Sequence, residues 1–487
     1  MTRSRVLADL LPEGVALPAE AATLAVTGLA LDSRKVTPGC LFAALPGLRT
    51  DGREFIPDAE AAGAVAVLAP PGTQTNLPLI AADDPAAALA AIAARFHPGR
   101  PETIAAVTGT NGKSSTVEFL RQIWARVGFE AAALGTLGVT RASGRSEVGY
   151  TTPDAIALHE ALDALAADGV THLAMEASSH GLKQRRMDGV RVDVAAFTNL
   201  TQDHLDYHPD FDDYFASKMR LFEVLAADGA PAVINMDSDW GAKVADICRR
   251  RGLEVIEVGW RGKDFRIAEI TPHPASQDIR LVHRGEERVV RLPLIGEFQT
   301  LNAVGAAAMA GASGVDAEDA LGALETLEGV AGRLQPVGTT PAGAPVLLDF
   351  AHSPDGLDKL LRAARPHTQG RIVLVFGAGG DRDPSKREKM GAVAARLADH
   401  VIVTDDNPRS EDPAAIRAAI LRGCPDAEEI GDRETAIRTA IGRLEPGDTL
   451  LVAGKGHETG QILADRVIPF DEPAIVRGAL EEMEARA

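Results

Sequence analysis

Cysteine is scarce: Cys40, Cys248 and Cys424 are the only three in 487 residues, and none forms a CxxC pair. That spacing excludes a disulfide scaffold and a zinc or iron–sulfur site readable from cysteines, and it fits a reducing compartment. Aromatics make up only 4%, with three Trp and three Tyr, too few for stacking platforms along a nucleic-acid strand. Cations are outnumbered, with Lys+Arg 50 against Asp+Glu 69 and a net charge of −19. A chain this acidic is a poor non-specific binder of nucleic acid or anionic membrane, although net charge does not forbid a local cationic pocket. Long apolar runs are missing as well: there is no stretch of about 18 apolar residues and no apolar leader in MTRSRVLADLLPEG. The expectation is a cytoplasmic protein with no nucleic-acid partner and no membrane span.

What is present is an ordinary globular balance, 45% hydrophobic and 24% charged, on a chain long enough for several domains. Its apolar mass is mostly Ala, Leu and Val. Two turn-rich breaks, His97-Pro98-Gly99-Arg100-Pro101 and the segment VGTTPAGAP after Arg333, divide it into 1–98, 99–333 and 334–487. The first section holds short strand-like runs (41–45, 64–68, 79–81) and a helical stretch, 84–96. From Thr103 strand and helix alternate: strands at 103–107, 172–175, 192–197 and 232–234, helices at 113–127 and 155–167. This rhythm implies a parallel sheet covered on both faces. Between Glu254 and Leu294 short alternating runs predict a small antiparallel insertion. Beyond the second break βα alternation resumes, with strands at 346–350, 372–376, 401–404 and 449–452. The predicted fold class is α/β in three domains, with a central phosphate-loop-type sheet and a C-terminal Rossmann-like sheet.

The strongest local signal is Gly109-Thr110-Asn111-Gly112-Lys113-Ser114-Ser115, after a strand and opening a helix. Glycines let backbone N–H groups close on an anion, Lys113 can reach terminal phosphates and Ser114 can hold Mg²⁺. Val107 stands where GxxxxGK[ST] requires glycine. Glu176, in MEASSHG, ends the next strand, where a carboxylate serves as a metal ligand or as a cap. In NLTQDHLDYH, His204 and His208 have helical i,i+4 spacing, but Pro209 disfavours helix at His208, which argues for a single histidine near Mg²⁺ or a structural role. Lys218, in YFASKMRLF, reads from composition as a solvated helix residue. Four later strand ends carry polar clusters: Asp349 to Asp355, Gly377 to Asp383, Thr404 to Arg409, and Gly454 to Glu458. Arg382, Arg409 and Lys455 among carboxylates suit a zwitterionic ligand.

GTNGKSS, MEASSHGL, NLTQDHLDYH, SKMRLF, DFAHSPD, FGAGGDRD, DDNPR and AGKGHE, in this order, resemble the Mur ligase family and its diaminopimelate-adding branch over nearly the whole chain. The resemblance implies an ADP-forming acid–amino-acid ligase of peptidoglycan precursor synthesis, joining meso-2,6-diaminopimelate to UDP-N-acetylmuramoyl-L-Ala-D-Glu through an acyl phosphate. It implies that Gly109 through Ser115 bind ATP phosphates, with Lys113, Glu176, His204 and Lys218 catalytic. Asn302, Arg333, Asp349 and His352 are then expected at the nucleotide. Ser114, Glu176, His204 and Lys218 are implied as the metal set, Lys218 as a carbamate, which overturns its bland reading. Leu31, Ser33, Thr151, Thr152, Ser178, Gln184 and Arg186 match positions for the UDP-linked substrate. Arg382, Asp406, Asn407, Pro408, Arg409, Gly454 and Glu458 match the amino-acid pocket, with Asn407 and Arg409 reading the distal carboxylate that lysine lacks. A monomer is expected. Ser114-Ser115 departs from the common Thr-Thr, and Leu48-Arg49-Thr50 from the His-Gln-Ala of some relatives. A phosphate-loop switch, a lysine-adding or folylpolyglutamate ligase, and a dehydrogenase suggested by GAGG are the alternatives.

Overall fold

Short aliphatic runs alternate with capped helices, and they assemble into parallel sheets whose strand ends collect the polar motifs. The computed structural model describes residues 3–47, 50–146, 151–201 and 207–485. Two compact units are present, Met1–Lys263 with Gly305–Ala320, and Asp264–Val304 with Leu321–Ala487.

In the first unit, strands Gly28–Ala30, Cys40–Ala43, Ala66–Ala69 and Leu79–Ala81 form a parallel sheet in chain order. Helix Pro85–Phe96 starts where Asp84 accepts from Ala87 N, with proline in the first turn, whose missing N–H costs nothing there. It packs Leu89, Ile92 and Phe96 against Leu41, Leu68 and Ile80.

A larger sheet follows in the same unit. Its parallel strands run in the spatial order Ala131–Gly135, His172–Glu176, Thr103–Thr108, Val194–Phe197, Pro231–Asn235, Glu254–Gly259. Gly138–Arg141 and Gly144–Ser146 extend the first edge antiparallel. Strands buried on both faces read as continuous apolar runs, as Ile104 to Val107 does. Helix Ala155–Ala167, capped by Asp154 on Ile156 N and Ala157 N, buries Leu158, Leu162 and Leu165. The predicted antiparallel insertion is thus corrected at its start. Glu254–Gly259 pairs parallel with Pro231–Asn235 and is the last parallel strand of the sheet. Antiparallel pairing begins only at Phe265. The period of that span was a mixture of one parallel strand and a meander, and a short run does not reveal the direction of its neighbour.

The second unit contains that meander, Phe265–His273, Ser276–His283 and Glu286–Leu292. It also holds a sheet in the order Gln335–Thr339, Pro345–Asp349, Thr449–Ala453, Ile372–Phe376, His400–Val403, Glu428–Glu429, parallel except for its first strand. Alternate residues of the same strands feed two cores. Leu374, Phe376 and Val403 pack with Leu357 and Met390, while Val373, Val375 and Ile402 pack with Ile437 and Val476. The sheet is therefore wound on both faces, as its period-2 side-chain alternation requires. Among the described residues no helix is long and apolar enough to cross a membrane.

Candidate active site

The phosphate loop leaves strand Thr103–Thr108 and enters helix Lys113–Arg126 through Gly112, which is left-handed at φ 88°. Gly109 has φ 150°, and a Cβ there would collide with Thr198 Oγ1. Both glycines are thus required by the backbone, the first by conformation and the second also by close approach. The loop is tied to the next strand end. Thr110 N donates to Asn199 O at 2.9 Å, Asn111 N donates to Asn199 Oδ1 at 3.0 Å, and Thr198 Oγ1 donates to Asn111 O at 2.6 Å. Lys113 Nζ donates to Gly109 O at 3.0 Å and to Thr110 O at 2.9 Å.

Lys218 is not solvated. It is 1% exposed, and its Nζ donates to Gly109 O at 2.7 Å while lying 4.5 Å from the Tyr214 ring centroid. Two lysines from different helices therefore converge on one loop carbonyl. Tyr214 holds the same loop, its hydroxyl 3.0 Å from Thr110 Oγ1. Helix Phe211–Arg220 carries both residues and begins where Asp210 accepts from Asp213 N.

Glu176 ends its strand 2% exposed, and Ser114 Oγ donates to its Oε1 at 2.8 Å. Thr136 N donates to the same oxygen at 2.8 Å, and Thr136 Oγ1 donates to Oε2 at 3.3 Å. Gly135 makes room, because a Cβ there would overlap Glu176 Oε1. A hydroxyl and a carboxylate meeting at a helix start are hard oxygen donors of the kind Mg²⁺ takes, with the remaining positions left to water and phosphate. Among the described residues no group of three His, Cys, Asp or Glu side chains forms a metal cluster. His204 lies outside the described residues, as do Leu48 and Arg49.

His208 is buried. Its Nδ1 is 2.6 Å from Asp213 Oδ2 and its Nε2 3.1 Å from Ser179 Oγ. Lys183 Nζ donates to the same Asp213 oxygen at 2.6 Å. The non-metal reading of His208 is the one the geometry supports.

Thr152, Ser178, Gln184 and Arg186 come together. Thr152 Oγ1 is 3.0 Å from Ser178 Oγ, Arg186 Nη1 donates to Thr152 O at 2.8 Å, and Arg186 Nη2 donates to Gln184 Oε1 at 2.6 Å. Thr151 joins through Thr136, hydroxyl to hydroxyl at 3.0 Å. Leu31 follows the strand Gly28–Ala30, and Ser33 opens a short 3₁₀ turn whose cap, Asp32, accepts from Arg34 N.

In the second unit, Asp349 accepts from Leu334 N and Ala351 N, each at 2.8 Å, and burial raises its pKa above the ordinary carboxylate value. Gln299 Nε2 donates to Arg333 O at 2.9 Å, and Asn302 Nδ2 lies 3.4 Å from Gln299 Oε1. Arg333 stacks over Phe350 at 5.3 Å, and His352 is exposed with Nδ1 2.8 Å from Phe350 O.

The last three strand-end clusters interlock. Asn407 Nδ2 donates to Glu458 Oε2 at 2.7 Å, and Arg409 Nη1 donates to Gly380 O at 2.7 Å. Arg409 is held at φ 52°, and its Nη1 occupies the space beside Gly379, 2.8 Å from where a Cβ would stand. Arg382 flanks the same glycine from an exposed position. Gly454, at φ 120°, lets Asp406 approach its backbone where a Cβ would clash. Pro408 is buried between them.

Gly135 and Thr136 beside Glu176, and Arg433 and Glu472 behind Asp406, were not singled out from sequence. Gly-Thr after the apolar run Ala131 to Leu134 was a strand-end signal of the same type as the others. Arg433 and Glu472 carried none, being 39 residues apart and joined only in the fold, where Arg433 Nε donates to Glu472 Oε1 at 2.5 Å.

Three family models match the chain: "Mur ligase family, catalytic domain" over residues 25–107, "Mur ligase middle domain" over 107–310, and "Mur ligase, glutamate ligase domain" over 332–456. It is 52% identical over 481 residues to a UDP-N-acetylmuramoyl-L-alanyl-D-glutamate–2,6-diaminopimelate ligase of Bradyrhizobium diazoefficiens, covering 97% of this chain and 99% of the relative. The similarly named protein of Caulobacter vibrioides is 51% identical over 468 residues, with 94% and 96% covered. A solved structure bearing the same enzyme name superposes with a TM-score of 0.76 at 30% identity, covering 99% of each chain. A ligase called MurF from Thermotoga maritima, solved with ADP, shares the fold at 19% identity and a TM-score of 0.62, over 94% of this chain and 98% of that one.

Proposed function

The chain belongs to the Mur ligase family, and from that premise we infer that it is the ATP-dependent ligase adding meso-2,6-diaminopimelate to the D-Glu γ-carboxylate of UDP-N-acetylmuramoyl-L-Ala-D-Glu in peptidoglycan precursor synthesis. The observation that carries this reading is the full-length likeness, at about half identity, to relatives bearing that enzyme's name.

A carboxylate is a poor electrophile, so the γ-carboxylate oxygen first attacks the ATP γ-phosphorus and ADP leaves. The diaminopimelate amine then attacks the acyl phosphate carbon, the C–N bond forms, inorganic phosphate departs with the C–O electron pair and the amine loses its proton. In this reading Gly109 through Ser115 cradle the phosphates by backbone N–H groups at a helix start. Lys113 moves from the Gly109 and Thr110 carbonyls to the transferring phosphoryl, where its charge stabilises the transition state. Ser114 and Glu176, with His204, would hold Mg²⁺, whose charge would offset that of the phosphates. The Lys218 ammonium first gives up one proton, its free amine attacks carbon dioxide, and the N–C bond forms as a second proton leaves; the carbamate so made changes a buried cation beside the loop into an anion suited to the same ion. Asn302, Arg333, Asp349 and His352 serve the nucleotide.

Thr151, Thr152, Ser178, Gln184 and Arg186, with Leu31 and Ser33, take the UDP-linked acceptor. Arg186 supports the acceptor role with a guanidinium already oriented by Gln184 and Thr152. Arg382, Asp406, Asn407, Pro408, Arg409, Gly454 and Glu458 form the amino-acid pocket, with Asn407 and Arg409 donating to the distal carboxylate and Glu458 accepting from an ammonium. Phosphate release with the muramoyl dipeptide and ATP tests the reading in three arms: diaminopimelate, L-lysine and no amino acid. Turnover is expected only in the first. Equal release in all three would mark a phosphate-loop ATPase instead.

A further inference from the structure

Lys455 lies behind the amino-acid pocket at 0% exposure, between strand Thr449–Ala453 and the hairpin Gly460–Ile462 with Val467–Pro469. A buried ammonium is retained only where its hydrogen bonds and charge are met. Here Nζ donates to Gly460 O at 2.8 Å and to Asn407 Oδ1 at 2.8 Å, with Asp406 at 3.9 Å and Glu458 at 3.7 Å. Asn407 Oδ1 also receives the Ile462 N–H at 2.9 Å.

Two donors with no acceptor character thus converge on one end of the Asn407 amide. A lysine ammonium cannot accept a hydrogen bond, and neither can a backbone N–H. Turning the amide over would set its NH₂ group against both, so its orientation is decided by chemistry. The other end, Nδ2, is directed at the Glu458 carboxylate, whose side chain is partly exposed where Lys455 is not. Asn407 itself is buried, 3% exposed.

We propose that Lys455 is a specificity-positioning residue: as the charged one of the two donors on Asn407 Oδ1, it adds to the hold of the Ile462 N–H and of Glu458 and strengthens the commitment of this asparagine to act toward the amino-acid ligand as a donor. This rests on the ligase reading above and deepens it. A donor facing the pocket favours a ligand with a carboxylate at its distal end. An amide free to turn presents its carbonyl, which accepts from an ammonium and so tolerates a lysine-like end. The discrimination between the two ligands is therefore set partly by a residue that touches neither.

The test compares wild type, Lys455→Met, Asn407→Ala and the double variant by steady-state phosphate release, with KM measured for diaminopimelate, L-lysine and ATP. Lys455→Met is expected to raise KM for diaminopimelate on the order of tenfold or more, the loss of one oriented hydrogen bond to a charged group. KM for ATP should stay unchanged, and the diaminopimelate-to-lysine preference should fall. In the Asn407→Ala background Lys455→Met should add nothing to the diaminopimelate KM, because its effect passes through the missing amide. A merely structural role would give additive losses and move all three KM values or kcat together, and that result overturns the proposal. Lys455→Gln, which keeps an N–H donor but adds an acceptor able to satisfy a turned amide, carries the same comparison if the methionine variant does not fold. Wild-type turnover that is independent of diaminopimelate would overturn the ligase reading itself and this proposal with it. Diaminopimelate-dependent wild type with unaltered selectivity in the variants overturns the Lys455 assignment alone.

Discussion

The contact between Ser114 and Glu176 can be broken without touching either residue. Gly135 is the last residue of strand Ala131–Gly135 and is not left-handed, so alanine fits its backbone. The methyl group, however, would overlap Glu176 Oε1, whereas an ordinary Cβ contact is 3.4–4 Å. The carboxylate must retreat by about an ångström or more, enough to break the 2.8 Å bonds from Ser114 Oγ and Thr136 N. Hydrogen bonds to a charged group contribute about 1.5–3 kcal/mol each. With Thr136 Oγ1 still able to follow Oε2, a net loss of about 3 kcal/mol is expected, or roughly a hundredfold. Because these oxygens are the proposed Mg²⁺ donors, that loss should appear as a raised Mg²⁺ requirement in phosphate release at saturating amino acid. The KM for diaminopimelate should not move. Gly135→Ala with wild-type Mg²⁺ half-saturation and kcat, and an unchanged melting temperature, would refute the assignment of Glu176 as a metal ligand poised by Ser114.

Lys218→Ala should abolish most turnover, and added bicarbonate should restore none of it; near-normal activity in the phosphate-release assay would sink the carbamate proposal. Arg409→Ala should raise KM for diaminopimelate far more than KM for ATP, and equal effects on both would count against its place in the pocket. His159 is held neutral by burial, its pKa pushed down from 6.5 to about 4. Well above pH 6.5 it is neutral whether the chain is folded or not, and as pH falls through 6.5 towards 4 the unfolded chain takes a proton that the folded one refuses. Stability should therefore decline over that window, by roughly 2 kcal/mol at pH 5. His159→Phe should flatten this part of the profile in denaturant unfolding at pH 7.5 and 5, and identical slopes for both proteins would contradict it.

Much of the fold was legible because apolar runs and caps are local. Strands Leu79–Ala81 and Ile372–Phe376 and helix Ala155–Ala167 fall where periodicity placed them. The start of the antiparallel meander was not legible, since direction belongs to a pair of strands and Glu254–Gly259 meets its partner through the fold. Lys218 shows the same limit for a site residue. Composition alone reads it as solvated, the family resemblance suggested a special role, and its burial against Gly109 O and the Tyr214 ring follows from two distant segments meeting.

By itself the sequence determined the class of chemistry. Glycines, a lysine and hydroxyls in one short segment, and charged clusters after successive strands, are properties of neighbours along the chain. Its shortage of cysteine, aromatics and positive charge set expectations about partners from composition alone. Only the tertiary structure decided which side chains act on one another. Gly135 makes room for Glu176, Lys113 and Lys218 share one carbonyl, and Lys455 orients Asn407 from 48 residues away. The physical reason is that hydrogen-bond direction and burial are set by atoms within about 3–4 Å, and in a parallel sheet those atoms come from strands separated by whole helices.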